Sequence, residues 1–389
     1  MKFFGLTRTV FFLGLVSFFN DAASEMIYPL LPVFLVSLGA SMPLIGLIEG
    51  IAETTASILK LFSGWFADKT GLKRLLTASG YILSNIARPL IGVSGTGMQV
   101  LFLRFTDRVG KGVRTAPRDA IIADDTPVLE RGKAYGFNRS MDHAGAMAGA
   151  FMALVLMKFF GLSMSWIFIL SVVPGILAII FVVAGIGGKR DIAVVETARL
   201  KLSLKPFDSR FKLYLIVMAV FTLGNSSDAF LLLRARELGI GIADLPLIWI
   251  LFHAVKSIIS IPGGMLSDRI GRRGLIIAGW VVYAAVYLGF SAASSQSQIW
   301  PLFIIYGAFF GLTEGVEKAF VADMVPPENR GTAFGVFNFV VGVMALPASL
   351  LCGFLWQGFS STVALGTGSA LAVLAGIMLL VLVKPVDGK

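Results

Sequence analysis

The chain is poor in the residues that most catalytic sites and most water-facing surfaces require. Of 389 residues one is cysteine, two are histidine, and only 14% are charged. The lone Cys352 excludes an intrachain disulfide and, in a stretch of small residues, reads as a packing residue. With His143 and His253 it gives no metal-ligand spacing, and the neighbouring Asp142 and His143 point different ways on a helix. No metal site and no cofactor are expected. There is no nucleophile elbow and no phosphate-cradling glycine loop, since Gly110-Lys111-Gly112 lies inside an apolar span without the P-loop pattern. These absences argue against an enzyme. A soluble domain is about a quarter charged. At 56% hydrophobic content and mean hydropathy +0.84, this chain could not cover itself with polar groups, so its solvent must be lipid.

What the chain has is apolar runs of membrane-crossing length. A helix rises about 1.5 Å per residue, so roughly 20 residues cross a core about 30 Å thick. Twelve such spans are expected, at 9–36, 43–66, 75–93, 99–122, 133–157, 164–185, 212–233, 245–266, 274–291, 300–322, 333–355 and 364–383. Nothing shows the ten-residue alternation of a lipid-facing barrel, so the fold class is an all-α membrane protein. The first run continues past Asn20-Asp21 to Leu38 without a small-residue cleavage site and reads as a retained helix. With both termini cytoplasmic, the outer connections hold only Lys158, Arg234 and Arg236 among basic residues. The positive-inside rule fixes that orientation for a multi-pass protein of the cell membrane. The formal charge of +10 therefore reports insertion, and no nucleic-acid partner is expected.

The two halves resemble each other. Gly64, Asp68, Gly71, Lys73 and Arg74 recur as Gly264, Asp268, Gly271, Arg272 and Arg273, a shift of about 200. Ala120, Asp124, Pro127, Arg131 and Gly132 recur as Ala319, Asp323, Pro326, Arg330 and Gly331, shifted by 199. Asn20 in span one has a counterpart in Asn225 of span seven. The longest polar stretch lies near the midpoint. The expected organisation is a six-helix bundle over 1–186, a cytoplasmic linker over 187–211 and a second bundle over 212–389. Such repeats belong to transporters that rock two halves around a central site.

The block at 64–74 resembles the loop between helices two and three of the major facilitator superfamily, G-x-x-x-D-R/K-x-G-R/K-R/K. Its echo at 264–273 resembles the copy between helices eight and nine. The resemblance covers essentially the whole chain. It implies two six-helix bundles related by a pseudo-two-fold axis, alternating access, and coupling usually to protons. Gating roles are expected for Gly64, Asp68, Arg74, Gly264, Asp268 and Arg272: glycines for close approach and a tight turn, the acid for a helix cap or ion pair. Two departures speak against a generic hydrophobic-drug antiporter. Arg104-Phe-Thr-Asp107-Arg108 puts a charge pair where drug exporters often carry R-x-x-Q-G, and Ala144–Gly149 has glycines without the antiporters' proline.

Charged side chains at membrane depth are the remaining signal. An ionised group at a helix centre costs about 2.5–3.5 kcal/mol on insertion scales, so it must pair or line a wet cavity. In span four the residues Arg104, Asp107, Arg108, Lys111, Arg114, Arg118 and Asp119 fall within an arc of about 140°. Proton-coupling candidates are Asp21, Glu25, Glu53 and Glu314, because burial and a nearby cation pull a carboxylate's proton affinity in opposite directions. Substrate-binding candidates are Asn20, Arg108, Lys111, Arg114, Asp142, Asn225, Asp228 and His253. The expected function is proton-coupled transport of a small polar or charged solute, by a monomer in contact with membrane lipid. The basic stripe of span four favours an organic anion, and the acids of spans one and two favour a cation or metal ion. A multidrug pump ranks lower, and an embedded enzyme or sensor lowest.

Overall fold

The computed structural model describes residues 2–3, 6–127, 130–186, 204, 207–326 and 329–383. A two-residue antiparallel pairing, Lys2–Phe3 (β1) with Leu6–Thr7 (β2), precedes the first helix. The other elements are helical. In chain order they are α1 (Arg8–Glu25), α2 (Leu31–Ser37), α3 (Met42–Thr70), α4 (Lys73–Leu90), α5 (Gly97–Asp124), α6 (Arg131–Lys158), α7 (Met164–Leu170) and α8 (Val172–Ile186). After the midpoint come α9 (Ser209–Gly224), α10 (Ala229–Glu237), α11 (Leu245–Ile270), α12 (Arg272–Ala292), α13 (Gln296–Asp323), α14 (Arg330–Gly358) and α15 (Ser361–Leu382). Most of the expected linker 187–211 lies outside the described residues.

Nine helical stretches among the described residues are long and apolar enough to cross a membrane. The other three expected spans are helical as well, namely α1 with α2, α4, and α5. They miss that apolar measure because they carry polar and charged side chains, and those side chains build the site below.

Span one is not the continuous helix expected over 9–36. It breaks across 26–30, where Pro29 lacks the N–H a helix needs and its ring would strike the Glu25 carbonyl. Span seven breaks at 225–228, the run Asn225-Ser226-Ser227-Asp228, whose short polar side chains compete for backbone hydrogen bonds. Broken helices in transporters expose backbone and polar groups to a binding cavity.

The chain divides into two compact units, Met1–Ala40 with Thr55–Leu200 and Ser41–Thr54 with Lys201–Lys389, so the start of α3 groups with the second unit. In the first, α1 packs on α6 and α8, and α4 packs on α5. Small residues set these distances. A Cβ at Gly145 or Gly149 would run into the carbonyl oxygens of Phe18 and Ala22, so α6 lies backbone to backbone on α1. In the second unit α11 packs on α13, α12 on α13 and α15, and α9 on α14 and α15. Its interior is aromatic: Tyr214, Trp280, Tyr283, Tyr287, Tyr306 and Phe309 are almost fully buried.

Candidate functional site

In the first unit the polar residues of α1, α4 and α5 converge on one carboxylate. Asp107, 1% exposed, is ringed by three guanidinium groups. Arg88 Nε lies 2.9 Å from Oδ1, Arg104 Nη1 lies 3.5 Å from Oδ2, and Arg108 Nε lies 3.8 Å from Oδ2. The Arg88 contact is short but off the N–H direction, so it is coulombic rather than a directed hydrogen bond. Arg88 is oriented from its other side, where Nη1 donates to the Asn20 carbonyl at 2.9 Å, to Asn20 Oδ1 at 3.0 Å and to Asn85 Oδ1 at 3.3 Å. Asn20 in turn donates through Nδ2 to Asp21 Oδ1 at 2.9 Å. A single network thus runs from Asp21 through Asn20 and Arg88 to Asp107.

Arg114, about two turns further along α5 from Asp107, is also buried. Its partners are neutral. Nη1 donates to Ser84 Oγ at 2.6 Å and reaches the Gly80 carbonyl at 3.5 Å, and the guanidinium centre sits 4.5 Å from the Tyr81 ring. This is possible because α4 and α5 touch at glycines: a Cβ on Gly80 would stand 2.5 Å from the Gly110 carbonyl, and the reverse. Nearer the C-terminal end of α5, Arg118 donates to Asp119 at 2.9 and 3.0 Å. Asp142 is flanked by Arg118 at 3.9 Å and Arg139 at 3.7 Å. Lys111 and Glu25 are half-buried on α5 and at the end of α1.

The second unit treats its acids differently. Asp228 lies in the break of span seven and accepts from the Tyr306 hydroxyl at 2.6 Å. Asn225 caps α9 and accepts from the Tyr283 hydroxyl at 3.2 Å, while the Tyr287 hydroxyl reaches the Ser226 carbonyl at 3.5 Å. The tyrosine rings stack, Tyr283 on Tyr287 at 4.2 Å. Ser227 Oγ donates to Glu49 at 3.4 Å, and Glu53 is half-buried one turn along α3. Glu314 is ion-paired with Lys256 at 2.8 Å and Lys318 at 3.6 Å. Glu317 accepts from the Trp280 indole N–H at 3.0 Å. His253 sits edge-on to Trp249 and Phe252, with ring centroids about 5 Å away. Among the described residues no three His, Cys, Asp or Glu side chains gather as a metal site would need.

At the helix ends that carry the repeated motif, the same staples are built twice. Lys73 pairs with Asp124 at 2.8 Å, and Arg272 pairs with Asp323 at 2.8 Å. Arg74 donates to the Ile186 carbonyl at 3.0 Å, and Arg273 donates to the Leu379 and Leu380 carbonyls. A cation at a helix C-terminus offsets the partial negative charge of its open carbonyls. Gly64 brings α3 against Ala116 of α5, where a Cβ would stand 3.2 Å from the Ala116 methyl, whereas nothing lies within 4 Å of a Cβ at Gly264. Asp68 is largely exposed, 3.9 Å from Lys73. Asp268 lies in α11, its side chain outside the described residues.

Of the expected site residues, the network joins Asn20, Asp21 and Arg108, and Asn225 and Asp228 share one polar break. Sequence reasoning missed Arg88, which orients the carboxylate ring. Its signal was a single arginine before Pro89, deep in span three. It also missed Tyr306 and Trp280, which look like ordinary apolar aromatics until a carboxylate faces the hydroxyl or indole N–H.

Comparisons with known proteins agree with this architecture. The profile of the Major Facilitator Superfamily matches residues 13–233 and again 213–389. An uncharacterized MFS-type transporter of Methanocaldococcus jannaschii is 35% identical over 384 residues, covering 96% of this chain and 95% of that protein. A multi-drug resistance efflux pump of Streptococcus pneumoniae is 24% identical over 343 residues, covering 84% and 85%. The crystal structure of the nucleoside transporter NupG superposes with a TM-score of 0.80 at 13% identity, over 97% of this chain and 100% of that one, which speaks to fold alone. With two profile matches spanning its length and a one-third-identical transporter relative, this chain belongs to the Major Facilitator Superfamily and is a multi-pass membrane transporter for a small molecule.

Proposed function

We propose that the transported molecule is a small organic anion, moved together with protons by alternating access of the halves 1–186 and 212–389. The observation that carries this reading is Arg114: a buried guanidinium with neutral partners, beside a carboxylate already ringed by three arginines. A buried cation held by a hydroxyl, a carbonyl and an aromatic face is poised to gain a carboxylate or phosphate, which guanidinium binds through two parallel N–H donors. The same collar of charge disfavours a lipophilic drug, although the S. pneumoniae relative is named an efflux pump.

Charge balance also sorts the proton-carrying acids. Protonating Glu314 would strand Lys256 and Lys318, so we assign Glu314 a structural ion pair. Asp21 and Asp228 accept from an amide and a phenol, and either can gain or lose a proton without orphaning a cation. We place them in the proton path, in a protein of the cell membrane with both termini cytoplasmic.

Counterflow in proteoliposomes tests the reading. Purified protein preloaded with candidate carboxylates, nucleosides, amines or metal ions should exchange a carboxylate, faster with an imposed proton gradient. Exchange of a cation instead, or anion exchange untouched by Arg114→Gln, refutes it. Flux that ignores the gradient in wild type, or still follows it in the Asp21→Asn, Asp228→Asn double variant, removes the proton assignment and leaves the anion reading standing.

A further inference from the structure

A groove of about 420 Å³ runs between α12 and α15, wholly within the second unit. Its floor is made by Trp280, Ala284, Ser369 and Ala372, all buried. Its rims are mostly bulky and exposed: Val281, Leu288, Val373, Ile377 and Leu380 are each about half exposed, with the smaller, exposed Ala285 between the first two. The groove reaches from Ile277 to Leu288 on one helix and from Ser369 to Leu380 on the other, about 16 Å at the helical rise. It begins near the cytoplasmic ends of both helices. One leaflet of a core about 30 Å thick has that depth. At the cytoplasmic mouth stands Arg273, one turn before Ile277. Its guanidinium is hydrogen-bonded to the Leu379 and Leu380 carbonyls, and among the described residues no carboxylate pairs with it.

We propose that this groove holds one acyl chain of an anionic phospholipid, with Arg273 at the level of the headgroup phosphate. The length selects the chain: the groove ends where one leaflet ends. The charge selects the headgroup, because a basic residue at the membrane surface attracts anionic lipid. The distribution of bulk selects a chain over a helix. Helices associate in membranes through small residues on the rim that let backbones approach. Here Ala284, Ser369 and Ala372 lie on the floor, below a mostly branched rim that keeps a second helix out and admits a flexible chain. The binding claim stands apart from substrate and coupling; only its assignment to the cytoplasmic leaflet rests on the proposed orientation.

The test is native mass spectrometry of the purified, delipidated full chain with added phosphatidylglycerol or phosphatidylcholine. Wild type should retain one phosphatidylglycerol, with a preference of about fivefold over phosphatidylcholine, the effect of one basic residue at the headgroup level. Gly376→Leu fills the groove without a clash, since nothing lies within 4 Å of a Cβ there, and Val281→Trp covers it from the rim. Both should lose the lipid while keeping the wild-type gel-filtration profile and melting temperature. Arg273→Gln should keep a lipid and lose the preference. Unchanged retention in both groove variants overturns the proposal, as does equal retention of the two lipids by wild type. A dimer peak that Gly376→Leu abolishes would assign the groove to a second copy of the chain instead.

Discussion

Arg88, Arg104, Arg108 and Arg114, the fully buried arginines among the described residues, all lie in the first unit. From Lys73 onward the internal repeat runs at a shift of 199, and the positions equivalent to those four are Tyr287, Phe303, Gly307 and Thr313. Asp107 itself is matched by Tyr306. Where the first unit sets a carboxylate among cations, the second sets two tyrosines, their rings tilted and 6.1 Å apart, whose hydroxyls hold the broken backbone and Asp228 of span seven. A second exchange lies closer to the C-terminal ends of α5 and α13. Arg118 is matched by Glu317, and the Tyr81 ring under Arg114 by Trp280, which donates to Glu317.

The parts that do not diverge are those that shape the helices. Thr96 and Gln99 cap α5 reciprocally, and Gln298 caps α13 in the same way by accepting from the N–H groups of Ser294 and Ser295. Gly80 fits against Arg114 as Gly279 fits against Thr313. The duplicated scaffold is fixed at caps, glycine contacts and staples at the motif ends, and its inner side chains are where the halves differ: buried arginines around a carboxylate in one, tyrosine hydroxyls facing the broken helix and its acid in the other.

The sharpest way to break this comparison is to neutralise the two equivalent positions separately. Asp107→Asn leaves three buried guanidiniums around an uncharged amide. Removing one partner of a buried ion pair costs about 3–5 kcal/mol, so the variant should melt far below wild type in detergent. Tyr306→Phe removes one donor to Asp228 and should cost about 1–3 kcal/mol, the penalty of a buried acceptor left unmade. If the two melt alike, the first unit's collar is not an electrostatic network.

A smaller and more specific effect is expected on ligand affinity. Arg114→Gln should weaken binding of the exchanged anion by about 1.5–3 kcal/mol, the worth of a charge-assisted hydrogen bond, with little loss of stability because its partners are neutral. Thr313→Val, its equivalent in the second unit, should leave affinity within error. Comparable losses in both, measured by isothermal titration, would mean the halves share substrate contact evenly.

Much of this was readable in the sequence, and the failures have a physical pattern. Helix positions followed from apolar runs, because lipid leaves the backbone no other way to satisfy its hydrogen bonds. The repeat was legible wherever glycine, aspartate and basic residues hold the helix ends. Periodicity put Arg104, Asp107 and Arg108 on one face but could not show that they share a carboxylate with Arg88. Spacing along one helix says nothing about which neighbour faces it. Tyr306 and Trp280 were illegible for another reason: each buries a large apolar ring, and the single polar atom that matters is invisible to hydropathy. The breaks at 26–30 and 225–228 had local causes in Pro29 and in a short polar run, yet hydropathy windows average over both.

The smallest expected effect concerns what the halves share. Lys73–Asp124 and Arg272–Asp323 join the third and fourth spans of each half through partly exposed pairs of the same length. Such pairs contribute about 0–1 kcal/mol, screened further by salt. Lys73→Met and Arg272→Met should therefore each lower the melting point slightly and by the same amount, and high salt should reduce wild type toward the variants. The two positions are equivalent in the repeat, so a purely structural staple predicts symmetric consequences for transport too. A large, one-sided loss of counterflow in either variant, at unchanged stability, would show that one copy has left the scaffold and acts as a gate.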